Sequence, residues 1–116
     1  MSHDPNCIFC KIVAGQIPSR KVYEDEDLLA FHDIAPWAPV HFLIIPKQHI
    51  VSLYDTTVEA HQALLGKMLA LAPQLALQLG VVNGFRTLIN TGVDGRQEVA
   101  HLHLHVMGGP RPWAKG

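Results

Sequence analysis

Residues Val99 to Gly109 read VAHLHLHVMGG. His101, His103 and His105 alternate here with Leu102, Leu104 and Val106, and strict period-two alternation of this kind specifies a β-strand. On a strand the three imidazoles share one face and the aliphatic side chains the other. The aliphatic face is suited to a core and the histidine face to the wall of a cleft. Same-face neighbours stand roughly 6.5–7 Å apart, so the three rings do separate jobs around one ligand. The residues alone leave two chemistries open. One is a metal site, because a His-x-His pair can ligate a single ion. The other is nucleophilic catalysis, with one imidazole attacking an electrophile while the others hold it. The bland alternative is three histidines used only as surface or core residues.

The composition narrows the field. At 116 residues the chain reads as one domain, 1–116, long enough to bury a core without staples. Nine Lys and Arg against ten Asp and Glu give a formal charge of −1, with no basic patch to follow a nucleic-acid backbone. No apolar run reaches the length of a membrane span. The start, MSHDPN, carries neither the basic nor the apolar region of a secretory signal, so a cytoplasmic protein is expected. Cys7 and Cys10 form a C-x-x-C pair, which without a signal reads as half a metal site, as inert buried thiols or as a redox pair.

Residues 5–13 suit a short helix stopped at Gly15. Residues 20–24 and 28–32 suit a β-hairpin whose acidic turn, residues 24–27, reads as a solvated cluster. His41 to Ile45 is an apolar run bounded by prolines, as in a buried strand. The long helix spans residues 56–79, with Thr56 as cap, Glu59 completing a capping box, and Leu64, Met68, Leu71, Leu75 and Leu79 as a core or dimer stripe. Pro73 should kink or divide it. Phe85 to Thr91 reads as a further strand, and residues 92–95 as a turn whose amides can face a phosphate.

AHLHLHVMGG resembles the signature of the histidine triad (HIT) nucleotide-binding superfamily. FHDIAPWAPVHFLIIPKQHI and IFCKIVAGQIPS resemble its Hint-like branch, the purine nucleoside phosphoramidase type that bears a zinc site. The resemblance runs from about Pro5 to Trp113. It implies an α+β HIT fold: an antiparallel sheet of about five strands, a short N-terminal helix, one long helix, and a homodimer whose sheets join across the interface. It implies a hydrolase acting on P–N or related nucleotidyl bonds, cleaving nucleoside 5′-phosphoramidates of the AMP-amine or AMP-lysine type through a nucleotidyl-histidine intermediate. His103 would be the nucleophile, His105 the donor to phosphate oxygens, and His41 a member of the proton network. The purine nucleotide would meet Ile8, Phe9, Ile17, Phe31 and Ile34 around the base, with Ile12 beside them. Asp33 would hold the ribose hydroxyls and Asn90 ribose or phosphate, with Gln97, Glu98, His103 and His105 completing the contacts. Cys7, Cys10, His49 and His101 would hold a structural zinc, and no cofactor would be required for catalysis.

The chain departs from that pattern at Arg96, where Hint-like proteins carry glycine and where arginine would crowd the phosphate loop or add charge near the leaving group. It departs again at Glu98, where eukaryotic relatives have a serine that aids leaving-group protonation. Trp113 resembles a family tryptophan near the partner subunit's site. The Gly108-Gly109 pair follows the Hint branch rather than the dinucleoside polyphosphate branch. Dinucleoside polyphosphate hydrolysis, a nucleotide-binding regulatory module and a metalloenzyme using all three triad histidines are the rival readings.

Overall fold

Alternating and apolar runs become five strands in the computed structural model, which describes residues 3–114. They are β1 (Lys21–Glu24), β2 (Leu28–His32), β3 (Val40–Pro46), β4 (Phe85–Leu88) and β5 (Leu104–Gly108), joined in one sheet of order β1-β2-β3-β5-β4. Every neighbouring pair is antiparallel. Two α-helices, α1 (Ile8–Val13) and α2 (Val58–Gln78), and a short 3-10 turn at Leu53–Asp55 complete the elements. The α+β architecture expected from the sequence is therefore the one observed.

The period of two assigns the sheet faces. Leu28 and Ala30 of β2, Phe42 and Ile44 of β3, and Leu104 and Val106 of β5 pack under Met68, Leu71, Ala72 and Leu75 of α2. The alternate residues Leu29, Phe31, Leu43 and Ile45 pack against Phe9, Cys10 and Ile12 around α1. His41 and His105 belong to this second face by the same alternation.

The triad strand starts later than its pattern suggests. His101, Leu102 and His103 precede the ladder, which begins at the pair Ile44–Leu104. The reason lies opposite them in β3, which ends at Pro46. Proline has no N–H to extend the ladder, and the Leu102 N–H bonds the Ile50 carbonyl instead, at 2.7 Å. Strand β4 pairs with β5 from Phe85–Gly108 to Leu88–His105 and stops short of the expected Thr91.

Other boundaries move for local reasons. Helix α1 starts at Ile8, not near Pro5, because the Cys7 Sγ caps it by accepting the Cys10 N–H at 3.3 Å. Helix α2 is capped by Thr57, whose hydroxyl accepts the Ala60 N–H. Thr56 is engaged one turn earlier, donating to the Leu53 carbonyl, and the capping box is Ser52 with Asp55 rather than Thr56 with Glu59. Pro73 does not divide the helix: it lies on the exposed face of an unbroken α2. The acidic turn is more than solvated. Asp25 Oδ1 accepts the Asp27 and Leu28 N–H groups, and its Oδ2 meets Lys67 of α2 at 2.6 Å.

Candidate active site and metal centre

The histidine face carries two clusters, and hydrogen-bond partners with fixed roles decide where the protons sit. A carbonyl only accepts and a backbone N–H only donates. His103 Nδ1 lies 2.7 Å from the His101 carbonyl, so Nδ1 carries the proton and Nε2 holds the lone pair. His41 Nδ1 accepts the Trp37 N–H at 3.0 Å, so neutral His41 is protonated on Nε2. That Nε2–H donates to His105 Nδ1 at 2.9 Å, which leaves the His105 proton on Nε2. The result is an acceptor nitrogen on His103 beside a donor nitrogen on His105, with ring centroids 4.9 Å apart.

Burial keeps these rings neutral. It lowers the His103 pKa below its ordinary value, against the His101 carbonyl and the Asp33 and Glu98 charges that raise it. It lowers His105 to about 4, helped by His103 and His41 and opposed by Asp33. His41 is lowered by burial against the nearby Asp33 carboxylate. At neutral pH a bare Nε2 on His103 is therefore available to attack.

The surroundings are aromatic. Phe9 stands edge-on to His103 at 5.3 Å and to Phe31 at 5.5 Å, and Ile17 packs in the same cluster. Trp37 is stacked near-parallel to His105, 6.2 Å away. Asp33 Oδ1 accepts the Ala35 N–H, and Oδ2 lies 3.4 Å from His41 Nε2. Not every expected contact residue joins this group. Ile34 is fully exposed and Ile8 is 48% exposed. The Gln97 amide is committed to the backbone, accepting from Gly92 and donating to the Val51 and Val99 carbonyls. Glu98 is exposed, and Asn90 is half-buried beyond the end of β4. The sequence reading missed Trp37, whose only signal was an aromatic residue in a proline-rich loop four positions before His41.

The second cluster joins α1 to the triad segment. Cys7 Sγ, Cys10 Sγ, His49 and His101 present donor atoms that all lie within 4.8 Å of one another. His101 Nε2 donates to the Pro46 carbonyl at 2.8 Å, so its Nδ1 lone pair faces the sulfurs, 3.2 Å from Cys7 and 3.6 Å from Cys10. His49 Nδ1 lies 3.3 Å from both Cys10 Sγ and His101 Nδ1. A tetrahedral ion with bonds of about 2.0 Å to nitrogen and 2.3 Å to sulfur has donor–donor edges of roughly 3.3–3.8 Å, and these spacings fit. Burial pushes the Cys10 thiol up, so its thiolate needs a cation beside it. Asp33, His41 and His105 also bring donor atoms together. There the Trp37 N–H forces a proton onto His41 Nε2, which makes that group a hydrogen-bonded relay.

Residues 14–111 match the model of the HIT domain family. The chain belongs to the HIT domain family. Among its relatives, Protein HitA of Neisseria gonorrhoeae is 55% identical over 105 residues, covering 90% of this chain and 97% of that protein. A histidine triad protein from Clostridium difficile has a solved structure that superposes with a TM-score of 0.90 at 42% identity, covering 96% of each chain. A HIT family hydrolase from Legionella pneumophila Philadelphia 1 gives a TM-score of 0.87 at 46% identity, covering 91% of this chain and 95% of that one. The triad His101, His103 and His105 of this HIT protein lies inside the matched segment.

Proposed function

We propose that this HIT protein is a Hint-like hydrolase that cleaves nucleoside 5′-phosphoramidates, of the AMP-amine or AMP-lysine type, through a nucleotidyl-histidine intermediate. The proton arrangement of the triad carries this reading. The lone pair of His103 Nε2 attacks the α-phosphorus, the P–N bond breaks as its nitrogen takes a proton from solvent water, and the neutral amine leaves with the bond's electron pair. Water then adds its oxygen to phosphorus, the P–Nε2 bond breaks, and of the two protons of this water one returns to solvent and the other stays on the phosphate. Splitting one displacement into two in this way is the usual gain of covalent catalysis. The His105 Nε2–H donates to the non-bridging oxygens, where charge develops. The Nδ1–H of His103 stays on the His101 carbonyl and holds the ring in its attacking orientation.

Phe9, Phe31 and Ile17 supply an apolar wall for a purine base, with Ile8 and Ile34 at its exposed rim. Asp33 accepts the ribose hydroxyls on lone pairs left free by Ala35 and His41, and Asn90 and Glu98 line the remaining side. Gln97 contributes through the loop that it braces. Cys7, Cys10, His49 and His101 hold a structural zinc with four protein ligands and no open position. It supplies cross-linking of α1 to the triad segment, and catalysis requires no cofactor.

A homodimer is part of the same proposal. Strand β4 is an edge strand, and unpaired edges invite a second chain. Leu69, Leu77, Val82 and Phe85 are exposed on α2, on β4 and in the turn between them. Sedimentation at micromolar concentration is expected to give twice the chain mass of 12.8 kDa. A single 12.8 kDa species would refute the dimer. The cytoplasm suits a chain with two free buried cysteines, and no helix among the described residues is long and apolar enough to cross a membrane.

The activity is tested by AMP release from an adenosine phosphoramidate. His103→Ala is expected to lower turnover by about a thousandfold or more, while AMP binding by calorimetry persists. Near-normal turnover in the variant would overturn the assignment. An inert wild type that still binds AMP would make the protein a binding module.

A further inference from the structure

The His41–His105 hydrogen bond works equally well in either direction. With the proton on His41 Nε2, His105 keeps its own on Nε2. With the proton on His41 Nδ1, the bond reverses: His105 Nδ1–H donates to His41, and His105 Nε2 is bare. A bare nitrogen facing phosphate oxygens sets lone pair against lone pair. Neutral imidazole has no strong preference of its own, so its neighbours choose the tautomer.

Two neighbours bear on the choice. The Trp37 N–H donates to His41 Nδ1 at 3.0 Å and excludes a proton there. Asp33 Oδ2 favours a proton on Nε2, but from 3.4 Å, beyond the usual range of a strong hydrogen bond. Asp33 is also the group that a ribose would engage. Trp37 is itself held from the far end of the chain. Its carbonyl accepts the Ala114 N–H at 2.8 Å. The tail that carries Ala114 leaves β5, the strand of His105, and folds back on itself. Trp113 Nε1–H donates to the Gly109 carbonyl at 3.0 Å, and the Arg111 guanidinium lies 5.0 Å from the Trp113 ring centre. The Trp37 ring covers His105 at 6.2 Å.

We propose that Trp37 is a positioning residue for the triad. Its backbone amide sets the tautomer of two histidines in series and so keeps a proton on His105 Nε2, and the C-terminal tail holds that amide in place through Ala114. The proposal rests on His105 as the donor to phosphate. It assigns a role to a loop and a tail that touch neither phosphorus nor nucleophile.

The test replaces Trp37 by its α-hydroxy acid analogue, which turns the N–H into an ester oxygen and keeps the ring. Two further variants accompany it: Trp37→Ala keeps the amide without the ring, and Ala114→Pro removes the tail's donor. Tautomers are read in the whole protein by long-range proton–nitrogen correlation on 15N-histidine, without substrate. The ester is expected to move His41 toward Nδ1–H and His105 toward a bare Nε2, and to lower kcat on the phosphoramidate at least tenfold with KM within twofold. Trp37→Ala should keep both tautomers, and Ala114→Pro should shift them part of the way. Unchanged tautomers in the ester protein would overturn the proposal, as would an equal shift in Trp37→Ala. Unchanged tautomers and kcat in Ala114→Pro would remove the tail from it. If the wild type does not turn over the phosphoramidate, the nitrogen spectra still decide the tautomer claim, and the failure lies with the proposed reaction.

Discussion

Arg96 stands where the Hint-like pattern that the sequence resembles carries glycine, and the backbone gives that difference a cost. Its φ is +60°, in the left-handed region that L side chains avoid by roughly 1–2 kcal/mol. Gly95, one position earlier, cannot take over the strain. A Cβ there would collide with the Thr91 carbonyl oxygen, so Gly95 is fixed by close approach. Arg96→Gly is therefore expected to stabilise the fold by about 0.5–1 kcal/mol, after allowing for glycine's greater freedom in the unfolded chain. Urea denaturation checks this, and a loss of stability would mean that the guanidinium makes a contact worth more than the strain. His105 carries a second residue-scale prediction. Burial, with His103 and His41, lowers its folded pKa to about 4, whereas an unfolded histidine titrates near ~6.5. Between those values the unfolded chain binds the proton and the folded chain does not, so stability falls as pH drops from ~6.5 to about 4 and this contribution levels off below. His41 and His103 act in the same direction. His105→Asn should make the decline across that window shallower in denaturation at pH 7, 5.5 and 4. An unchanged slope would mean that His105 takes its proton without cost in the folded state. At this scale side chains were legible in the sequence, because pattern and motif report side chains. Trp37 was not, because it acts through a backbone amide that every non-proline residue shares.

Among the elements, α1 contributes little on its own, since six residues make a single marginal helix. Its attachment comes from Phe9, Cys10 and Ile12 against the sheet, and from the thiol–imidazole cluster that ties Cys7 and Cys10 to His101. Metal analysis of the purified protein is expected to find one zinc per chain, lost in Cys7→Ser and retained in His103→Ala. Chelation should lower Tm by roughly 5–10 °C, equivalent to about 1–2 kcal/mol. A wild type without metal, or a Cys7→Ser that keeps it, would contradict the assignment. The element boundaries show where sequence periodicity loses information. The alternation from His101 to Val106 is continuous, yet the ladder starts at Leu104 because Pro46 across the sheet has no N–H to extend it. Strand β4 likewise ends at Leu88, before the apolar run that continues through Ile89. Thr56 and Thr57 are both good caps, and only the neighbouring 3-10 turn decides between them. Long-range pairing of this kind is not written in any local window.

Over the whole molecule, one alternation organises core and site together. Leu102, Leu104 and Val106 pack in the core under α2, while His101, His103 and His105 face α1 and the β2–β3 loop. His101 belongs to both clusters: its ring joins the two thiols and its carbonyl orients His103. The fold class was legible in the alternation together with the family resemblance, and the grouping of Cys7, Cys10, His49 and His101 through that resemblance, since local spacing alone offers Cys7 and Cys10 only as half a metal site. The proton positions could not, since they depend on the carbonyls of His101 and Pro46 and the amide of Trp37 meeting three rings in space. Those positions leave the lone pair of His103 on Nε2, the atom the proposed reaction uses to attack. The most direct measurement is rapid-quench mass spectrometry of the protein during turnover of an adenosine phosphoramidate, with the modified peptide sequenced. The account predicts an acid-labile nucleotidyl group on His103, absent from His103→Ala. A nucleotidyl group on His105, or steady turnover with no covalent adduct at any quench time, would contradict it.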